Sequence, residues 1–179
     1  MTEAATKPSR IAPIHGMKGA KRWAYIARQK TIRVATTNED GSLYLSPVWY
    51  VVKDQRIFLP LDAGSRHAVN SEAGRSLAAV IDSGDEYATV HGIRMTGSLR
   101  QVDDAALIDE IMKMIFDKYF YDGHPYAESY FQFGRPAGRR VVELLPAKFV
   151  GWDMRETALP TVPEARSLPS FAKDRLVED

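Results

Sequence analysis

Short extended runs separated by turn residues fill most of this sequence, and helical periodicity is found at only two places. Thr31 to Thr37 is β-branched and ends at Asn38-Glu39-Asp40-Gly41, a hairpin turn by composition. Ser42 to Lys53 then alternates, with Leu43, Leu45, Pro47, Trp49 and Val51 on one face and Tyr44, Ser46, Val48 and Tyr50 on the other. Pro47 has no amide proton for a ladder, which predicts a bulge or a sheet edge there. Arg56 to Leu61, Leu77 to Ile81 and Tyr87 to Val102 follow as strands, the last with breaks at Gly92 and Gly97. Arg139 to Leu145 and Ala147 to Met154 read as two final strands separated by Pro146. The helices are Met17 to Gln29, and a segment capped by Asp103 that runs to about Phe120. A doubly wound parallel sheet needs helices between its strands, and they are missing. The pattern predicts a mainly β fold, a β-barrel with appended helices.

A chain of 179 residues fits one domain with a real core. The expected division is a disordered leader over 1–15, a barrel over 16–156 and an extended Pro-containing tail over 157–179. Tyr121 to Gly138 is aromatic and Gly- and Pro-rich, and reads as a long loop. Net charge is +1, so no global field points to nucleic acid, and any anion site must be local. No apolar stretch reaches the roughly 20 residues of a membrane helix. The leader lacks the apolar region of a signal peptide. With no cysteine, disulfides and thiolate chemistry are excluded, which fits a cytoplasmic location. His15, His91 and His124 show no metal-ligand spacing, so no metal site is expected.

One junction carries more chemistry than a turn requires. In Leu61-Asp62-Ala63-Gly64-Ser65-Arg66-His67-Ala68-Val69-Asn70, Gly64 permits a tight approach and Ser65 can cap a helix. Arg66 adds a bidentate fork suited to phosphate oxygens, and His67 a further donor. A plain helix cap with solvated Arg66 and His67 satisfies the same local pattern.

The order of the motifs resembles a known family. Thr36 to Gly41, Ser46 to Val52 (SPVWYVV), Ile57 to Asn70, Gly92 to Val102 (GIRMTGSLRQV) and Pro146 to Trp152 (PAKFVGW) follow one another in a characteristic way. Together they resemble the flavin-binding split β-barrel of the pyridoxamine 5′-phosphate oxidase-like superfamily, and most closely its branch of flavin/deazaflavin-dependent oxidoreductases. The resemblance implies a homodimer with two cofactor sites at the subunit interface. Ser46, Pro47, Val48 and Trp49 would lie along the ring, and Ser65, Arg66, His67 and Asn70 would hold the phosphate. Arg94 and Trp152 would approach from the neighbouring region or the other subunit. It further implies an oxidoreductase that moves a hydride between F420, or alternatively FMN, and a small organic substrate, with no side chain assigned as catalytic. A non-catalytic protein that sequesters a flavin, F420 or haem on the same fold is the alternative. Two departures bear on this: His67 stands where the family usually has lysine, and Gly92 stands where pyridoxamine phosphate oxidases carry glutamine.

Overall fold

The computed structural model describes residues 16–86, 89–120, 123–129 and 138–156. The expected leader and tail, and most of the aromatic loop from Tyr121 to Gly138, lie outside them. Helix α1 (Gly19–Arg28) precedes strands β1 (Ile32–Thr37), β2 (Leu43–Val48), β3 (Val51–Lys53) and β4 (Arg56–Asp62). Helix α2 (Arg66–Glu72), strands β5 (Leu77–Ser83) and β6 (His91–Gln101), helix α3 (Ala105–Tyr119) and strand β7 (Arg139–Asp153) complete the described elements, ending in a 3-10 turn at Met154–Glu156.

All seven strands form one antiparallel sheet in the order β2-β1-β5-β6-β7-β4-β3. The two edge strands, β2 and β3, are consecutive in the chain and separated only by Trp49 and Tyr50. So short a link cannot span seven strands laid flat, so the sheet curls until its edges meet. That is a split barrel. Two turns enforce the pairing: Asn38 accepts the Gly41 amide while Gly41 takes φ +82°, and Asp54 and Gln55 both adopt positive φ between paired Lys53 and Arg56. Positive φ at both central residues is the type I′ geometry, whose twist matches that of the strands.

The corner at Trp49–Tyr50 is where the alternation read from sequence stops being one strand. Tyr50 is fully buried, and its hydroxyl donates to the Ile26 carbonyl of α1. Its amide donates to the Tyr119 hydroxyl at 2.9 Å, and its carbonyl accepts from Lys118 Nζ at 3.0 Å, both on α3. The strand therefore breaks where two helices can satisfy the freed backbone groups.

Inside the barrel, Ile32, Val34, Ile57, Leu59, Ile81, Ile93, Met95 and Leu144 form the main core with Tyr25 and Ile26 of α1. A second cluster lies on the outer face, where Ile111 and Ile115 of α3 cover Val51, Phe58 and Val141. Each of these fully buried aliphatic side chains is worth roughly 1.5–3 kcal/mol. Helix α3 is capped by Asp104, whose carboxylate accepts from Ala106 and Leu107 at 2.9 and 3.2 Å, one residue later than the sequence suggested. Pro146 does not divide the last strand either. β7 runs through it because Gly97 pairs with Pro146 while Thr96 pairs with Lys148, a bulge that absorbs the extra residue. Among the described residues no helix is long and apolar enough to cross a membrane, and no metal-ligating cluster is found.

Two buried carboxylates on β7 are held by basic side chains, Glu143 from across the sheet and Asp153 from α1 and the turn that follows β7. Glu143 accepts from Arg56 at 2.8 Å through both oxygens and from Arg100 at 2.6 Å, and Asp153 accepts from Arg155 at 2.9 Å and pairs with Lys21 at 3.2 Å. Hydrogen bonds from Arg56 and then Arg100 hold Glu143 down at about 2, and those from Arg155 and then Lys21 hold Asp153 at about 2. Since both folded-state values lie below the ordinary carboxylate range, their stabilisation is complete above about pH 4.5. It disappears as pH falls through 4 toward 2. Half-exposed arginine partners limit each contribution to about 1–3 kcal/mol. Urea melts at pH 7, 4 and 3 should show the loss concentrated below pH 4.5, and Glu143→Gln should flatten that slope. A slope unchanged by the substitution would remove Glu143 from this account.

Candidate functional site

Helix α2 starts at Ser65, which has extended backbone angles and accepts the Ala68 amide at 3.3 Å. The helix is only seven residues long, so its dipole is small and the positive charge at this end is that of Arg66. Arg66 is exposed and lines a groove of about 390 Å³ with Asn38, Glu39 and Asp40 from the β1–β2 turn. The next residues face elsewhere. His67, Ala68 and Asn70 are buried, while Arg66 and Val69 are exposed, as helical spacing requires.

His67 and Asn70, expected to help hold a phosphate, are turned into the barrel and held in a polar network. His67 Nδ1 lies 3.0 Å from Thr36 Oγ1 and Nε2 lies 2.9 Å from Ser46 Oγ, with the Tyr44 ring edge-on at 4.8 Å. Asn70 donates to Thr36 Oγ1 at 2.9 Å and to Asn38 Oδ1 at 3.0 Å, and accepts from Arg75 at 3.2 Å. Thr36 therefore already accepts one hydrogen bond. The assignment that satisfies every member has Thr36 donating to Nδ1 and Nε2–H donating to Ser46. The Ser46 hydroxyl proton is then free for a further acceptor. Burial pushes the His67 pKa below its usual value, so the ring is neutral at pH 7 and adds no charge to the groove.

The ring strand divides by the pleat. Ser46 and Val48 point inward, Ser46 to His67 and Val48 to the core. Pro47 points outward opposite Arg33, and since β2 pairs only with β1 this proline sits on an edge with no shift of register. Trp49, at the corner, stacks on Tyr119 with ring centroids 4.4 Å apart and meets Phe120 edge-on at 5.7 Å. Arg94 and Trp152 lie on the outer face, lining a second groove of about 500 Å³ with Val80, Val150 and Gly151. Register places Pro47, Arg33, Val80 and Arg94 in one row, so Pro47 and Arg94 are three strand spacings apart, about 14 Å. One chain thus brings Ser46, His67 and Asn70 together beside Ser65 and Arg66. It leaves Arg94 and Trp152 across the sheet.

Several participants were not singled out in the sequence. Thr36, Asn38 and Tyr44 complete the His67 network, and Glu39 and Asp40 line the groove. The available signal was polar residues on the inner face of β1 and at i, i+3 on α2. Lys118 is another: its ammonium sits 4.0 Å above the Tyr50 ring, and burial together with nearby Lys30 lowers its pKa to about 8.

The family model described as Pyridoxamine 5′-phosphate oxidase matches residues 21–153, which span every described strand. The chain belongs to the pyridoxamine 5′-phosphate oxidase family. Among solved structures, a conserved hypothetical protein from Mycobacterium tuberculosis is similar with a TM-score of 0.71 and 25% identity, over 85% of this chain and 94% of that one. The haem storage protein HutZ from Vibrio cholerae aligns with a TM-score of 0.60 and 14% identity, over 74% and 94% of the two chains. An FAD binding protein from Mycobacterium smegmatis gives 0.56 and 15%, over 76% and 97%. A search of curated proteins finds no match.

The side chains at this family's expected site suit a phosphate-bearing ring cofactor in their chemistry. Arg66 offers a phosphate a permanent guanidinium, and the Ser46 hydroxyl, held 2.9 Å from His67 Nε2, offers a ring edge a hydrogen-bonding group. As an edge strand, β2 also presents backbone groups that β1 does not use.

Proposed function

We propose that this chain is an oxidoreductase that binds a flavin-type cofactor, F420 or FMN, and transfers a hydride to or from a small organic substrate. The observation that carries the reading is one shared frame. His67 ties Ser46 on the edge strand to α2, whose first residue, Arg66, lines the charged groove. A ring lying along β2 and a phosphate at Arg66 would be held by a single rigid unit. When bound, such a cofactor supplies the hydride chemistry itself. The chain's own residues then bind and orient: Arg66 and Ser65 hold the phosphate, and Ser46, aimed by His67, donates to a polar edge. The neutral His67 acts through Ser46 rather than as an acid. Tryptophan-quenching and absorbance titrations with FMN, FAD and F420 test the binding. Turnover of the reduced cofactor with a quinone, enone or nitro acceptor tests the chemistry. Binding without electron transfer to any acceptor would replace this reading with the sequestering one, which the fold shared with a haem storage protein keeps in view.

The reading includes a homodimer. Leu43 and Leu45 are 71% and 65% exposed on the outer face of β2, with Pro47 continuing the same apolar row. Helix α3 covers the other side of the outer sheet, over β3 and β4, and no described element covers this one. A second copy laid there would bury the leucines and bring its own Arg94–Trp152 groove toward the edge strand, completing a site that one chain leaves divided. Light scattering should give twice the chain mass at micromolar concentration, with at least ~1,500 Å² buried in total. Leu45→Glu should shift it to one chain and weaken cofactor binding together. A wild-type mass of one chain would sink the dimer.

A further inference from the structure

The groove at Arg66 is less basic than a phosphate pocket needs for a doubly charged ligand. Among the described residues, Glu39 and Asp40 line it with the one guanidinium of Arg66. Asp40 is pinned there, because its carboxylate accepts both the Ser42 amide at 2.9 Å and the Ser42 hydroxyl at 2.5 Å. Those hydrogen bonds, with a smaller contribution from Arg66, hold its pKa below the usual value, so it is ionised at neutral pH. Gly41, at φ +82°, keeps the turn that presents both carboxylates. Arg75 reaches Glu39 at 3.9 Å and offsets it from outside the groove, and His67 behind it is neutral. Asn38, the fourth lining residue, donates to Ser42 Oγ and accepts from Asn70. All these charges lie within a Debye length of the groove, about 8 Å at physiological salt, so a ligand phosphate meets them together.

We infer that the turn carboxylates Glu39 and Asp40 make this groove select a singly charged phosphodiester over a doubly charged phosphate monoester. The inference rests on the proposed cofactor site and deepens it. A monoester such as the phosphate of FMN carries close to two charges at pH 7, since its second pKa is about 6. It therefore sets two negative charges beside Arg66 and the two carboxylates, of which Arg75 partly offsets Glu39 and leaves Asp40 as the nearer unmatched charge. A phosphate esterified on both sides, as in F420, carries one charge, which Arg66 can match while the carboxylates repel it half as strongly.

FMN and its phosphate methyl ester isolate the effect, because they share the ring and differ by one charge. The wild-type protein should bind the methyl ester at least fivefold more tightly than FMN at pH 7.5. In Glu39→Gln/Asp40→Asn, which keeps the shape of the turn and an oxygen to accept from Ser42, FMN should tighten at least fivefold and the ester by only about the square root of that factor. Thermal melts of both proteins confirm that the turn is intact. A wild-type preference for FMN, or a double variant that moves both ligands equally, overturns the inference and leaves the cofactor reading standing. So does riboflavin bound as tightly as either phosphorylated ligand. Failure of all three flavins and of F420 to bind overturns the cofactor reading itself, and the inference with it.

Discussion

Replacing Arg66 by alanine should weaken binding of an intact phosphate-bearing cofactor by about ten- to a hundredfold, the 1.5 to 3 kcal/mol of a charge-assisted hydrogen bond. The fold should not notice. Arg66 is exposed at the first turn of α2, and the cap that starts the helix belongs to Ser65. The loss should be confined to ligands with a phosphate, so riboflavin, or F420 stripped of its phosphate and tail, should bind Arg66→Ala and wild type alike. The structure sharpens this expectation, because His67 cannot share the load. Its two nitrogens are held by Thr36 and Ser46, and burial keeps the ring neutral. Arg66 is therefore the cation among the described residues lining the groove. If Arg66→Ala weakens riboflavin as much as FMN, the arginine does not read phosphate and the segment is a helix cap only.

How much of this was legible in the sequence depends on whether the signal was local. The Asn38–Gly41 turn was legible because its backbone demands a residue at positive φ, and Gly41 supplies it. The pleat of β2 was legible because alternation has period two. The corner at Trp49–Tyr50 was not, since nothing local ends the strand there. The break exists because α1 and α3 arrive to satisfy Tyr50, a fact of tertiary closure. Pro146 misled for the same reason: the missing donor is tolerated because Gly97, far away in the chain, forms the matching bulge. Around α2 the side-chain directions were not legible. Ser65, Arg66, His67 and Asn70 read as one phosphate clamp, yet a helix turn separates them into an outward cation and an inward network. The i, i+3 spacing of His67 and Asn70 carried that information, and only the burial of the facing strand gives it meaning.

Gly92→Gln should cost about 2–4 kcal/mol of stability and displace Trp152, because this glycine lies under the tryptophan ring. A Cβ built at Gly92 would stand 2.6 Å from Trp152 Cζ2, 2.7 Å from the Ile81 carbonyl oxygen and 3.0 Å from Asp82 Cα. The ring can swing aside, but the two backbone atoms belong to β5, paired with β6 on either side of this position, and they move only if the ladder opens. Even Gly92→Ala should therefore be destabilising. Trp152→Ala added to Gly92→Gln should recover only the part of the cost that the ring imposes. Urea denaturation midpoints measure the cost, and the tryptophan emission maximum reports whether the ring has moved into water. A Gly92→Gln protein with wild-type stability and emission would show that the pair is not coupled. With the coupling in place, Gly92 and Trp152 act as one choice. They are cross-strand partners on the outer face, and the ring occupies the space that a glutamine side chain at this position would enter. Trp152 lines the groove beside Arg94 because residue 92 is small. The same smallness makes the tryptophan ring an aromatic wall of that groove.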